Sequence, residues 1–214
     1  MKAIRFFTTY MVVWLLFISF SSISPSFTFN MDSYKQGQGD VLVWTYEANV
    51  YTPSDVGKEF KINITKVNQT LKGGYLYDTL YATVDDAGWV TQNVLVGAYN
   101  NSKGVHDDVS YIRNFLMPRN GTAINDSLFS WYSMLGMTYH SWTPGPNGHD
   151  GKYEAWDSDA AGNPLPGKSK YEIEYNVDGI AKYYREYNGT GSKWDLIYGY
   201  IMGTTGGQIT GGNF

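Results

Sequence analysis

The sequence predicts a mainly β fold: a curved antiparallel sheet, built as an open barrel or a sandwich, with one or two short helices inserted mid-chain. Three observations lead there. Apolar and polar residues alternate with a period of two through much of the chain, as in strands with one wet face. Nineteen tyrosines, seven tryptophans and ten phenylalanines stand against few charged residues, a composition that favours strands. Paired turn formers, Gly73-Gly74 and Asp178-Gly179 among them, separate the alternating runs.

The elements follow in order. Val41 to Asn49 carries Leu42, Trp44 and Tyr46 on one face and Val43, Thr45 and Glu47 on the other. Phe60, Ile62 and Ile64 alternate with Lys61, Asn63 and Thr65 in a second strand. Gly73-Gly74 turns the chain into Tyr75 to Val84, with Leu76, Leu80, Ala82 and Val84 on one side. Asp85 to Gly88 turns it again into Trp89 to Ala98, where Val90, Val94, Val96 and Ala98 alternate. Four strands with short connections predict an antiparallel meander. Asp107 or Asp108 then caps a short helix carrying Val109, Ile112, Phe115 and Leu116, stopped by Pro118. Asn125 or Asp126 caps a second, with Leu128, Trp131, Tyr132 and Leu135 at helical spacing and Gly136 closing it; a strand over 128–142 is the alternative. Residues 143–170 read as loop around a short strand at Lys152 to Trp156. Asp178-Gly179 then pairs Tyr171–Val177 with Ile180–Tyr187 through a two-residue turn, and Trp194 to Met202 is the last strand.

The N-terminus reads as a secretory signal over 1–26. Lys2 and Arg5 precede an apolar stretch from Phe6 to Phe20, and small residues follow it. An uncleaved N-terminal anchor is the alternative, and this segment is the one expected point of membrane contact. A polar linker over 27–39, a single β-rich domain over 40–203 and a flexible Gly-rich tail over 204–214 complete the division. Six N-x-S/T sequons, at Asn63, Asn68, Asn100, Asn120, Asn125 and Asn188, exceed the about two expected by chance and agree with export to the cell surface or beyond. There is no cysteine, so such a domain must be held by its core rather than by disulfides. A formal charge of −4 without a basic stripe argues against nucleic acid as a partner.

No motif points to a cofactor. Glu172 and Glu174, with Glu154, raise the prospect of a secreted carbohydrate-active hydrolase working with a carboxylate pair about 5–10 Å apart. Counting outward from Asp178-Gly179, however, sets Glu172 opposite Arg185 as an ion pair and Glu174 opposite Tyr183, all on one polar face. The favoured expectation is therefore a non-catalytic protein that binds or scaffolds. Two ligand sites suit it. Tyr183 and Tyr187 form a strip on the polar face able to stack on sugar rings. Trp131, Met134 and Met137 would instead give an apolar or lipid ligand a greasy lining beneath the second helix. Asp157, Asp159 and Asn163 resemble the start of a calcium loop, although Ala161 and Lys168 stand where ligands are needed, and a plain turn is the preferred reading. His106, His140 and His149 lack the spacing of a zinc site, so no metal is expected.

The segment from Tyr175 to Tyr200, an Asp-Gly hairpin followed by one more strand, resembles a unit of secreted archaeal β-proteins of uncharacterised role. It is also similar in outline to the helix-plugged open barrel of LolA-like lipoprotein carriers. That likeness implies an open sheet closed by a helix and carries no catalytic residues.

Overall fold

The computed structural model describes residues 34–106, 115–148 and 150–203. Ten strands form one antiparallel sheet: β1 (Val41–Asn49), β2 (Glu59–Lys72), β3 (Tyr75–Asp86), β4 (Trp89–Asn100), β5 (Val105–His106), β6 (Tyr139–Pro144), β7 (Gly151–Trp156), β8 (Ser169–Tyr175), β9 (Ala181–Gly189) and β10 (Trp194–Met202). Their spatial order is β5-β4-β3-β2-β1-β10-β9-β8-β7-β6. Two meanders, one from each half of the chain, thus meet where the first long strand pairs with the last. The sheet is not closed into a barrel.

The first meander follows the expected alternation. Leu42, Trp44 and Tyr46, then Phe60, Ile62 and Ile64, then Leu80, Ala82 and Val84 are all buried on one face, here called inner. Two-residue turns link β2 to β3 and β3 to β4, with Gly73 and Gly74 both at positive φ, as are Ala87 and Gly88, the geometry that matches strand twist. Val90 departs from expectation. It is 60 % exposed, because the register shift between Ala82 and Val84 sets Thr91 opposite the inward Val84 and turns Val90 to the outer face, opposite Asp85. The approach to β1 packs as well: Tyr34 lies against Gly97, where a Cβ would come within 2.7 Å of its ring, and its hydroxyl meets His106 Nδ1 at 2.8 Å.

One α-helix, α1 (Gly121–Met134), appears among the described residues, besides a 3-10 turn at Pro53–Asp55. Its start corrects the sequence reading. Asn120 is the N-cap, its Oδ1 accepting from Ala123 N at 3.0 Å, and Asn125 and Asp126 lie inside the helix. Its end is where Gly136 was expected to close it; Gly136 adopts φ 86° and donates to the Ser133 carbonyl. The strand alternative for 128–142 is wrong up to Met134, and a strand begins at Tyr139. Most of the first expected helix, 107–114, falls outside the described residues, as do the N-terminal segment through residue 33 and the tail from 204.

The inner face is filled by the chain leading into α1. Phe115 packs on Trp44, Phe60 and Tyr200 with ring centroids 4.7–5.0 Å apart. Leu116 bridges to Ile180, Met117 N donates to the Gly179 carbonyl, and Ala181 N donates to that of Phe115. From there α1 runs against β5, β6 and β7, touching strands at both edges of the sheet. Its buried residues Ile124, Leu128 and Tyr132 pack with Tyr153, Ile173 and Tyr175.

Candidate functional site

The half of the sheet from β6 to β10 holds most of the candidate residues, on two faces. The β8–β9 register is as expected, Glu172 opposite Arg185 and Glu174 opposite Tyr183, but by a different route. The turn is not a two-residue one. Asn176 N donates to the Ile180 carbonyl and Gly179 N to that of Asn176, which makes a three-residue loop of Val177, Asp178 and Gly179. A bulge next to Ala181 then restores the register. Asn176 Oδ1 pins the loop by accepting from Asp178 N and Ile180 N.

On the outer face the side chains stand in three rows across the strands. Tyr139, Trp156, Lys170, Tyr187 and Leu196 form the first. Ser141, Glu154, Glu172, Arg185 and Gly199 form the second, and Thr143, Lys152, Glu174, Tyr183 and Ile201 the third. The expected Glu172–Arg185 ion pair does not form. Arg185 crosses Gly199 instead, donating from Nε and Nη2 to Glu47 on β1 at 2.7 and 2.8 Å. A Cβ on Gly199 would sit 3.4 Å from Arg185 Cγ and 2.9 Å from the Tyr184 carbonyl, so the bare glycine opens that path. Glu172 turns to Lys170 at 2.7 Å and Lys152 at 3.5 Å, and Glu154 shares both lysines. Glu174 meets Lys182 at 2.7 Å. These lysines hold the Glu154 carboxyl below its ordinary range despite partial burial, which works against it. Each of the three glutamates considered for acid–base work is thus held by a cation.

Aromatic rings border the charged row. Tyr139 stacks on Trp156 with centroids 5.9 Å apart. The Arg185 guanidinium lies 4.5 Å from the Tyr183 ring centre, and the Tyr187 hydroxyl donates to Glu172 Oε2 at 3.2 Å. Tyr183 and Tyr187 therefore do share this face, both half-buried.

The helix-side residues are not brought together. Met137 is sealed in the core beside Tyr132 and Tyr153, Met134 is 67 % exposed, and Trp131 packs at the edge of that core. The Asp157, Asp159 and Asn163 group forms an ordinary turn. Asp159 Oδ1 accepts from Ala161 N and Asn163 N, and Oδ2 from Asn163 Nδ2, the bonds that hold its pKa low. Asp157 Oδ1 accepts from Ser169 N. Among the described residues, no three His, Asp or Glu side chains gather as metal ligands, and no helix is long and apolar enough to cross a membrane. Of the histidines, His106 and His140 are hydrogen-bonded beneath the sheet, His140 Nδ1 to the Tyr153 hydroxyl at 2.6 Å. His149 lies outside the described residues.

The inner face holds what sequence reasoning missed. Glu186 stands between Tyr171 on β8 and Tyr198 on β10, in register with both. Tyr200 donates to the Tyr46 hydroxyl at 2.8 Å and Tyr46 to Asp86 at 2.5 Å, while the Tyr198 and Tyr200 hydroxyls lie 2.5 Å apart. Burial raises the pKa of every one of these phenols above the ordinary tyrosine value. A signal was present: the count that puts Glu172 outside with Arg185 puts Glu186 inside, opposite Tyr171.

The sequons are placed unequally. Asn63 is exposed on the outer face, whereas Asn100 is 1 % exposed and donates from Nδ2 to the Tyr77 hydroxyl at 3.0 Å. Asn68, Asn120, Asn125 and Asn188 are half-buried, and Asn120 Nδ2 lies 3.3 Å from the Tyr99 hydroxyl.

No protein-family model matches the chain, and neither a curated protein nor a solved structure matches it.

Proposed function

We propose that this is an exported, non-catalytic binding protein of the cell surface, and that the outer face of β6–β9 takes a carbohydrate. The observation that supports this reading most is the arrangement of that face. Two rows containing aromatic rings flank a row of interlocked charges, and Tyr183 and Tyr187 lie about 13 Å apart along β9 with Arg185 between them. A sugar ring has an apolar C–H face that suits an aromatic side chain and a rim of hydroxyls that suits fixed donors and acceptors. Glu154, Glu172 and Glu174, neutralised by lysines, are set to accept hydrogen bonds rather than to deliver or withdraw protons. The apolar-ligand reading lacks a comparable assembly of side chains.

Binding to an array of oligosaccharides, followed by calorimetry on the hits, tests the proposal. A Tyr183→Ala/Tyr187→Ala double variant should bind at least about tenfold more weakly. Absence of binding to any glycan would remove the carbohydrate reading, and release of reducing sugar would restore the hydrolase. Export has its own test in the mass of the mature chain, where an intact Met1 would contradict a cleaved signal. If glycans are added to the folded protein, glycopeptide mapping should find Asn63 occupied and Asn100 bare.

A further inference from the structure

The chain has six glutamates, and five of them meet a lysine or arginine. Glu47 has Arg185, Glu59 has Lys61, Glu154 and Glu172 share Lys152 and Lys170, and Glu174 has Lys182. Glu186 meets neither type among the described residues. Among the described residues it accepts a 3.3 Å hydrogen bond at Oε1 from the Tyr171 hydroxyl. A half-buried carboxylate without a cation is costly, and the cost is relieved when one is supplied.

Its surroundings are aromatic on three sides. Tyr171 and Tyr198 are its cross-strand neighbours, and Tyr184 precedes it by two residues on the same face. The Tyr184 ring lies 6.4 Å from that of Tyr171 and 6.2 Å from that of Tyr198. Tyr51, 70 % exposed, stands 6.3 Å from Tyr198 and marks the solvent side. The other charges felt here are also negative, Asp157 acting on Tyr171 and Asp86 on Tyr198. Burial raises the Glu186 pKa, and its charge in turn raises those of Tyr171, Tyr184 and Tyr198, so the four groups share one electrostatic environment.

We infer that the inner-face rim at Glu186 is a binding site for an organic cation, an alkylammonium group seated among the rings of Tyr171, Tyr184 and Tyr198 and neutralised by the Glu186 carboxylate. Tyrosine faces attract a cation through their quadrupole, and a poorly hydrated ammonium gains more from them than a small inorganic ion does. A single carboxylate among phenols is too few hard oxygen ligands for calcium. The site is separate from the outer carbohydrate face and shares no residue with it. The cation could be a free amine or the ammonium of a lipid headgroup.

Titration of the full chain with tetramethylammonium chloride tests this, followed by calorimetry and by tyrosine NMR signals. Sodium chloride serves as the ionic control and 3,3-dimethylbutan-1-ol as the neutral isostere. Saturable binding of tetramethylammonium is expected, weakened at least about tenfold by Glu186→Gln and by Tyr198→Leu, with no binding of the alcohol. Glu186→Gln removes a half-buried charge and should stay folded by circular dichroism, so a loss of binding there is not a loss of structure. No saturable binding by the native chain, equal binding by Glu186→Gln, or equal binding of the alcohol would each overturn the inference. Vesicles of phosphatidylcholine against phosphatidylglycerol decide the source. Binding to choline vesicles supports a headgroup site, and binding of the free ion alone supports a soluble amine.

Discussion

Arg185 shows how a missing side chain can direct a present one. It ignores its cross-strand neighbour Glu172 and reaches two strands away, because Gly199 leaves the intervening strand bare. The pair is bidentate but partly solvated, with side-chain exposures of 26 % and 30 %, so a double-mutant cycle of Glu47→Gln and Arg185→Gln should give a coupling of about 1 kcal/mol by urea unfolding. His140 offers a second residue-level test. Burial lowers its pKa below 6.5, although the Met137 carbonyl opposes the shift. The unfolded chain therefore takes up the proton first, and stability present above about pH 6.5 is lost as pH falls toward the folded value. Unfolding midpoints measured from pH 8 to pH 5 should show this loss, and His140→Gln should lack it.

At the scale of elements, the β8–β9 hairpin depends on Gly179 for two reasons. Its φ is 73°, and a Cβ there would lie 2.1 Å from the Met117 carbonyl that follows Phe115 and Leu116 into the inner face. Gly179→Ala should cost roughly 2–4 kcal/mol in equilibrium unfolding. Gly39→Ala, with φ 96° and open space around it, should cost only the backbone share of about 1–2 kcal/mol. The same hairpin shows what the sequence could reveal. Alternation placed Ile173 and Tyr175 inside and Glu172 and Glu174 outside, because a period of two fixes faces whatever the turn does. The loop is one residue longer than Asp178-Gly179 predicts and the bulge beside Ala181 compensates, so the register is kept. The start of α1 was less legible. Asn120, Asn125 and Asp126 are all competent caps, and the choice is made by packing: a Cβ on Gly121 would lie 2.2 Å from the Gly148 carbonyl, a contact made far along the chain. Glu186 is legible by parity, but its lack of a cationic partner among the described residues is not, since that depends on which strand lies beyond β9.

The pairing of β1 with β10 governs the whole molecule, and nothing local announces it. It joins Trp44 to Met202 and Tyr46 to Tyr200, the first long strand to the last, so the two meanders close on each other only after the last strand has been made. The inner core crosses this seam, with Tyr200 in contact with Phe60 and Phe115 and the Trp44 indole donating to the Ala181 carbonyl at 2.6 Å. Both proposed sites lie on the β6–β10 half, which leaves the first meander to supply the packed support behind them.

That seam also fixes how the molecule bears load. Because β1 and β10 are antiparallel neighbours, the start of β1 at Val41 and the end of β10 at Met202 lie at the same end of the sheet, with Gly203 N directed at the Val43 carbonyl. Tension applied between those two points opens the strands as a zipper, one pair at a time from Trp44–Met202, instead of shearing many bonds at once. Three pairs in, the opening front meets the Glu47–Arg185 clasp. Single-molecule pulling should find a low rupture force with a step at that position, and Arg185→Ala should erase the step while leaving the first opening event unchanged.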